Sequence, residues 1–241
     1  SLGKARQAFD MACTGGAGQG CSLLGMMRKS AHGGPLDLPG ARQAFKLACG
    51  FKIAAGCFEQ AMLLLDERGV PVVTGQKEYR ALLVEACDTG HPPACGWLGA
   101  AEIAGFGGKK DAKAGRKRAA EACEQRVATG CLAAGNAAVA AIGGPRDLDQ
   151  GLEWLRAACD TGMGRACYNG AEVMGRFKMQ GRDRVQWYAD GCARGHAASC
   201  FGAAATPDTF VPSCRKFAIR GALLMIGLEL ERELNGPAAD L

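Results

Sequence analysis

The chain runs to 241 residues, with 48% apolar but only 6% aromatic side chains, 36 glycines, 13 cysteines and a formal net charge of +5. So small a charge for this length falls short of a nucleic-acid-binding signature, and no apolar run reaches the roughly 18–20 residues that a membrane-spanning helix needs. Glycine without a three-residue period excludes a collagen-like chain, and the recurring apolar segments exclude disorder.

The chain opens in a helix-like segment, residues 4–13, that ends on Cys13. No signal peptide precedes it, so an upstream portion is expected to have been removed and the first unit to be truncated. Cys13 begins a series: Cys13/Cys21, Cys49/Cys57, Cys87/Cys95, Cys123/Cys131, Cys159/Cys167 and Cys192/Cys200 each enclose seven residues. Their first members recur after 36, 38, 36, 36 and 33 residues. A near-fixed period of this size marks a solenoid, in which each unit buries its apolar face only against its neighbours. Regular cysteine pairs sit badly with a reducing cytosol, so the expected setting is oxidising and extracytoplasmic: the periplasm, or secretion. Zinc is the competing use of paired cysteines. A seven-residue gap is wider than the knuckle of zinc sites and most pairs lack a histidine, so disulfides are preferred, with no metal or cofactor.

Aligned on the first cysteine, each repeat carries Phe9, Phe45, Leu83, Ala119, Leu155 or Tyr188 four residues earlier, the spacing of a buried helical stripe. Asp37, Asp111 and Asp147 follow Gly33-Gly34-Pro35, Gly107-Gly108 and Gly143-Gly144-Pro145, and suit the N-caps of the helices that end at the cysteines. Turns such as Asp88-Thr89-Gly90 and Asp160-Thr161-Gly162 follow. The residue before the second cysteine is small (Gly20, Gly56, Ala94, Gly130, Ala166, Ser199), and so is the one four residues after it (Gly25, Ala61, Gly99, Gly135, Ala171, Ala204). The latter position predicts close approach of a neighbouring helix, because glycine inside a helix otherwise costs up to about 1 kcal/mol. Each repeat therefore reads as two helices stapled across their turn, a bridge contributing about 2–3 kcal/mol in the chain-entropy model. Residues 69–75 lengthen one loop.

Further along, Lys109, Lys110, Lys113, Arg116, Lys117, Arg118 and Arg126 form the densest charge cluster. It reads either as a solvated helix face or as a landing site for an acidic protein surface; the aromatic interleaving that single-stranded nucleic acid requires is missing. His91 and His196 occupy equivalent places in their repeats, and no serine–histidine–acid or cysteine–histidine arrangement can be argued from spacing. The repeat array is expected over 1–205, with a capping helix and tail over 206–241. Within the tail, Ser213 and Lys216 match a Ser-x-x-Lys spacing without its companion motifs, and the serine after Pro212 reads as a helix cap. Cys214 is the odd cysteine, a free thiol either buried beside Phe217 and Ala218 or exposed for cross-linking.

The Ala-Cys helix ending, the seven-residue gap, the small residues around the second cysteine and segments such as Leu152-Glu153-Trp154-Leu155-Arg156-Ala157-Ala158-Cys159 resemble the cysteine-rich branch of the Sel1-like repeats. The resemblance covers residues 4–204. It implies an all-α, right-handed α/α superhelical solenoid related to tetratricopeptide repeats. It also implies that the helix after the second cysteine lines a concave groove, putting Trp97, Glu102, Asn136, Tyr168, Asn169, Glu172 and Met174 at a site for a protein or peptide partner. The roles it suggests are bacterial and extracytoplasmic: envelope assembly, or neutralising a delivered toxin as an immunity protein. Penicillin-binding or β-lactamase-like action on β-lactams or peptidoglycan fragments is the alternative. Oligomeric state stays open.

Overall fold

The structure is a computed structural model that describes residues 1–205 apart from 67, 68, 70 and 180–182. The tail, with Ser213, Cys214, Lys216 and the expected capping helix, lies outside the described residues. Two compact units divide the chain, Ser1–Arg146 and the residues from Asp147 onward.

The first unit holds α1 (Leu2–Thr14), α2 (Gly18–Lys29), α3 (Leu38–Gly50), α4 (Ala54–Met62), α5 (Gln76–Asp88), α6 (Pro92–Ala104), α7 (Ala112–Glu124) and α8 (Ala128–Val139). The second holds α9 (Leu148–Asp160), α10 (Gly164–Arg176), α11 (Arg184–Ala193) and α12 (Ala197–Ala205). Every odd-numbered helix ends just beyond a first cysteine, and every even-numbered one carries the second cysteine near its start. At 13 residues α1 is as long as α3, α5 and α7.

All six expected bridges form, with Cα–Cα distances of 4.4–4.9 Å. The two helices of a pair start by different means. Asp37, Asp111 and Asp147 cap α3, α7 and α9 by accepting the amide N–H three residues on, at 2.8, 3.0 and 3.0 Å, and Asp183 caps α11 in the same way. The even helices α2, α4, α6, α8 and α10 start without a side-chain cap. Their first turn is held by the bridge to the preceding helix instead.

Between the paired cysteines the third residue on is left-handed in all six repeats: Gly16, Lys52, Gly90, Arg126, Gly162 and Gly195, with φ from +60° to +99°. That conformation reverses the chain within the seven-residue gap. Small side chains then let the helices close. A Cβ added at Gly20, Gly56 or Gly130 would lie 2.5–2.8 Å from the Cβ of Ala12, Ala48 or Ala122. In the last repeat the sizes are exchanged, Gly191 facing Ser199. The expected close approach beyond the second cysteine is also present: Gly25 lies under the ring of Phe45, and Gly99 faces the backbone of Gly115 and Ala119. The long loop carries an isolated bridge between Leu65 and Pro71 and a short 3-10 turn, Val73–Gly75.

The Gly-Gly pairs have a role beyond preceding the caps. Gly33, Gly107 and Gly143 have φ of +71° to +73° and lie against the carbonyls of Leu2, Gln76 and Ala112 at the start of their own repeat's first helix. The next glycine in each pair lies under the guanidinium of Arg6, Arg80 or Arg116. Each arginine donates from Nη1 to a carbonyl 29 residues on, Pro35, Lys109 or Pro145, at 2.9–3.0 Å. The loop that leaves a repeat is thereby tied back to the helix that began it.

Candidate interaction surface

Two faces of the even helices separate by position. Seven residues after the second cysteine, Leu64, Glu102, Ala138 and Met174 are buried, between 0% and 8% exposed. Two and five residues after it, one helical turn apart on a single face, the side chains reach solvent: Leu23 and Met26, Glu59 and Met62, Trp97 and Ala100, Ala133 and Asn136, Asn169 and Glu172. The inner column is small or apolar for α4, α8 and α10 but carries Glu102 on α6 and the half-buried Arg28 on α2. The outer one changes from repeat to repeat, apolar on α2 and polar on α10.

This sorting divides the residues expected at a groove. Asn136 and Glu172 are exposed, and Trp97, Tyr168 and Asn169 are half-buried. Met174 is 3% exposed and belongs to the core, a correction: its apolar side chain is packed away from solvent. Glu102, 7% exposed, is a second correction. Its carboxylate accepts from Arg118 Nε at 3.0 Å and sits 3.9 Å from Arg80, so it is a structural counter-ion rather than a groove ligand. Trp97 packs beside the cluster of Cys57, Tyr79, Leu83 and Leu98.

Tyr168 joins adjacent repeats of the second unit, its ring 5.2 Å from His196 and 6.0 Å from Tyr188. The Tyr188 hydroxyl donates to Glu172 and accepts from Arg184 at 2.8 Å. Burial, helped by the Glu172 carboxylate, raises the Tyr188 phenol to about 12. Arg156 stacks 3.8 Å above the Trp187 ring and pairs with Asp190. Burial alone would raise the Asp190 carboxyl, but the hydrogen bonds from Arg156 and Gln186 outweigh it and lower it.

Among solved structures the chain is similar to a protective antigen of uropathogenic Escherichia coli displaying an SLR fold, at 17% identity and a TM-score of 0.67. That match covers 94% of this chain and 49% of the other, so the chain spans about half that protein's length. A Sel1 repeat protein from Oxalobacter formigenes matches at 18% identity and a TM-score of 0.67, over 78% of this chain and 76% of that one. The chain has the Sel1-like repeat fold. A chain of Klebsiella pneumoniae assigned to the Sel1 repeats adds a TM-score of 0.57 at 13% identity, over 83% of this chain and 97% of that one. By sequence, no family model and no curated protein matches.

Within this Sel1-like array the basic run does not form one face. Arg116 ties the loop at Pro145 and Arg118 is paired with Glu102, while Lys117 lies 3.7 Å from Glu121. Lys109, Lys110, Lys113, Lys117 and Arg126 are the exposed remainder. His91 and His196 begin α6 and α12 in the column filled elsewhere by Ala17, Ile53, Val127 and Met163, an apolar place between repeats. His91 stacks 4.8 Å from Phe58 of the preceding repeat, as His196 does on Tyr168. Burial lowers the pKa of both imidazoles. Among the described residues no group of three or more His, Cys, Asp or Glu is placed to hold a metal, and no helix is long and apolar enough to cross a membrane. The six bridges imply an oxidising, extracytoplasmic setting.

Proposed function

We propose that the chain is a non-enzymatic protein-binding module of the bacterial envelope, meeting a protein or peptide partner along the outer column of its even helices. The observation that carries this reading is the contrast between the two columns. Every repeat keeps its bridge and the small contact beside it, yet the solvent-facing positions change chemistry from Leu23 and Met26 to Asn169 and Glu172. A helix face whose structural neighbours are fixed while its exposed side chains vary is suited to recognising a partner. Neutralising a delivered toxin is one role within this class. The β-lactam alternative, which came with the family resemblance, turns on Ser213 and Lys216, outside the described residues.

The test is site-specific photo-crosslinking in the native envelope. A photoreactive residue at position 136 or 172 should give a discrete protein adduct, and the arginine substitution at that same position, Asn136→Arg or Glu172→Arg, should weaken the captured partner at least tenfold, or about 1.4 kcal/mol. Adducts only from positions 113 and 117 would move the binding surface to the exposed lysines and refute the assignment.

A further inference from the structure

We propose that the Cys87–Cys95 bridge is a thiol-exchange site, opened by an anionic thiol while the other five bridges stay closed. Two independent features coincide only there. The first is access. Cys21, Cys57, Cys131, Cys167 and Cys200 are 0–2% exposed, so in five repeats the second sulfur is sealed under packed helices. Cys95 is half-buried, and so is its partner Cys87. Cys49 is also half-buried, but it is bonded to the fully buried Cys57.

The second feature is charge. Arg118 Nη1 lies 3.9 Å from the Cys87 sulfur, reaching it from the next repeat. Glu102 fixes that guanidinium by accepting from its Nε at 3.0 Å. The molecule supplies its own control: Arg156 Nη1 lies 3.7 Å from the Cys159 sulfur, but Cys159 and Cys167 are both 0% exposed. That bridge has the cation without the access.

The exchange balances without an outside oxidant. A thiolate, from a small thiol such as glutathione or from a dithiol oxidoreductase, attacks the Cys87 sulfur beside Arg118. A new sulfur–sulfur bond forms to Cys87, the Cys87–Cys95 bond breaks, and its electron pair leaves on Cys95 as a thiolate. Arg118 attracts the anionic nucleophile and offsets the charge spread over the three sulfurs. A second thiol then attacks the mixed disulfide, releasing the oxidised reductant and a Cys87 thiolate.

The experiment incubates the fully oxidised protein with reduced glutathione under native conditions, quenches with acid and alkylates, and locates opened pairs by peptide mass spectrometry. The Cys87–Cys95 pair should open at least tenfold faster than any other, with glutathione on Cys87, and added salt should slow it. The double variant Arg118→Gln with Glu102→Gln, which removes the cation against the Cys87 sulfur and leaves only the more distant Arg80, should slow this pair at least threefold and weaken its salt dependence. Another pair opening first, or all six opening together, would overturn the proposal on the wild-type protein alone. A double variant with the wild-type rate and salt dependence would overturn the part given to Arg118.

Discussion

Gly107→Ala tests whether the loop leaving a repeat holds that repeat together. Gly107 has φ +71°, and a Cβ there would lie 2.0 Å from the Gln76 carbonyl oxygen and 2.9 Å from the Arg80 Cβ. Gly90, in the same repeat, is the control: its φ is +85° and a Cβ would meet nothing within 4 Å. Alanine in the left-handed region costs about 1–2 kcal/mol, less roughly 0.4–1 kcal/mol recovered from a stiffer unfolded chain. Gly90→Ala should therefore destabilise by about 0.5–1 kcal/mol. Gly107→Ala carries the same penalty and also forces the loop off α5, breaking the charge-assisted bond from Arg80 to the Lys109 carbonyl. Losing that bond adds about 1.5–3 kcal/mol, for a total of roughly 2–4 kcal/mol. Urea unfolding of both variants with bridges intact, followed by circular dichroism, gives the comparison. Repeat arrays can melt in steps, so the difference between the variants is the informative quantity. Equal midpoints would refute the idea that the glycine is held by contact rather than by conformation alone.

Three further outcomes follow from particular side chains. Thiol titration of the native protein in denaturant should find one free thiol per chain, since six bridges use twelve of thirteen cysteines; twelve or thirteen thiols would refute the bridge assignment. Arg126→Gly should raise stability by about 0.5 kcal/mol, because Arg126 is an exposed non-glycine at φ +60° where four other repeats use glycine; a lower urea midpoint would count against it. Burial lowers the pKa of His91 and His196 below the unfolded value near 6.5. The fold therefore favours neutral rings, and the stability they contribute is present above that value and lost as pH falls through their folded values. Titration by NMR should place both imidazoles below that value, and either one titrating at or above it would refute the burial.

The cysteine spacing, aspartate caps and small residues could be read directly because each acts within a few residues of its partner. Asp37 caps an amide three positions away and Gly20 faces Ala12 eight positions back. The arginine tie was harder to see, since it links residues 29 apart through a backbone carbonyl that has no side-chain signature. Its trace was present: Arg6, Arg42, Arg80 and Arg116 all stand seven residues before a first cysteine. Glu102 misled because a carboxylate on an inner helix suggests a ligand contact. The column it shares with Leu64, Ala138 and Met174 marks it as interior, and only Arg80 and Arg118, from α5 and α7, make a charge tolerable there. Trp97 and Tyr168 could not be sorted from sequence, since the same rings serve repeat-to-repeat packing and partner contact.

The staple across each turn also sets how such a chain would answer a pulling force. The seven residues between paired cysteines are short-circuited by the bridge, so a repeat torn open under tension releases only the length outside that loop, at up to about 3.5 Å per residue. In the repeats begun by α1, α5 and α7 the arginine tie encloses the bridged pair and would give way before the repeat lengthens. A tethered array of these units would extend in a series of short, self-limiting steps, each ending on a covalent stop. Reduction of one bridge would show as a single longer step in the trace.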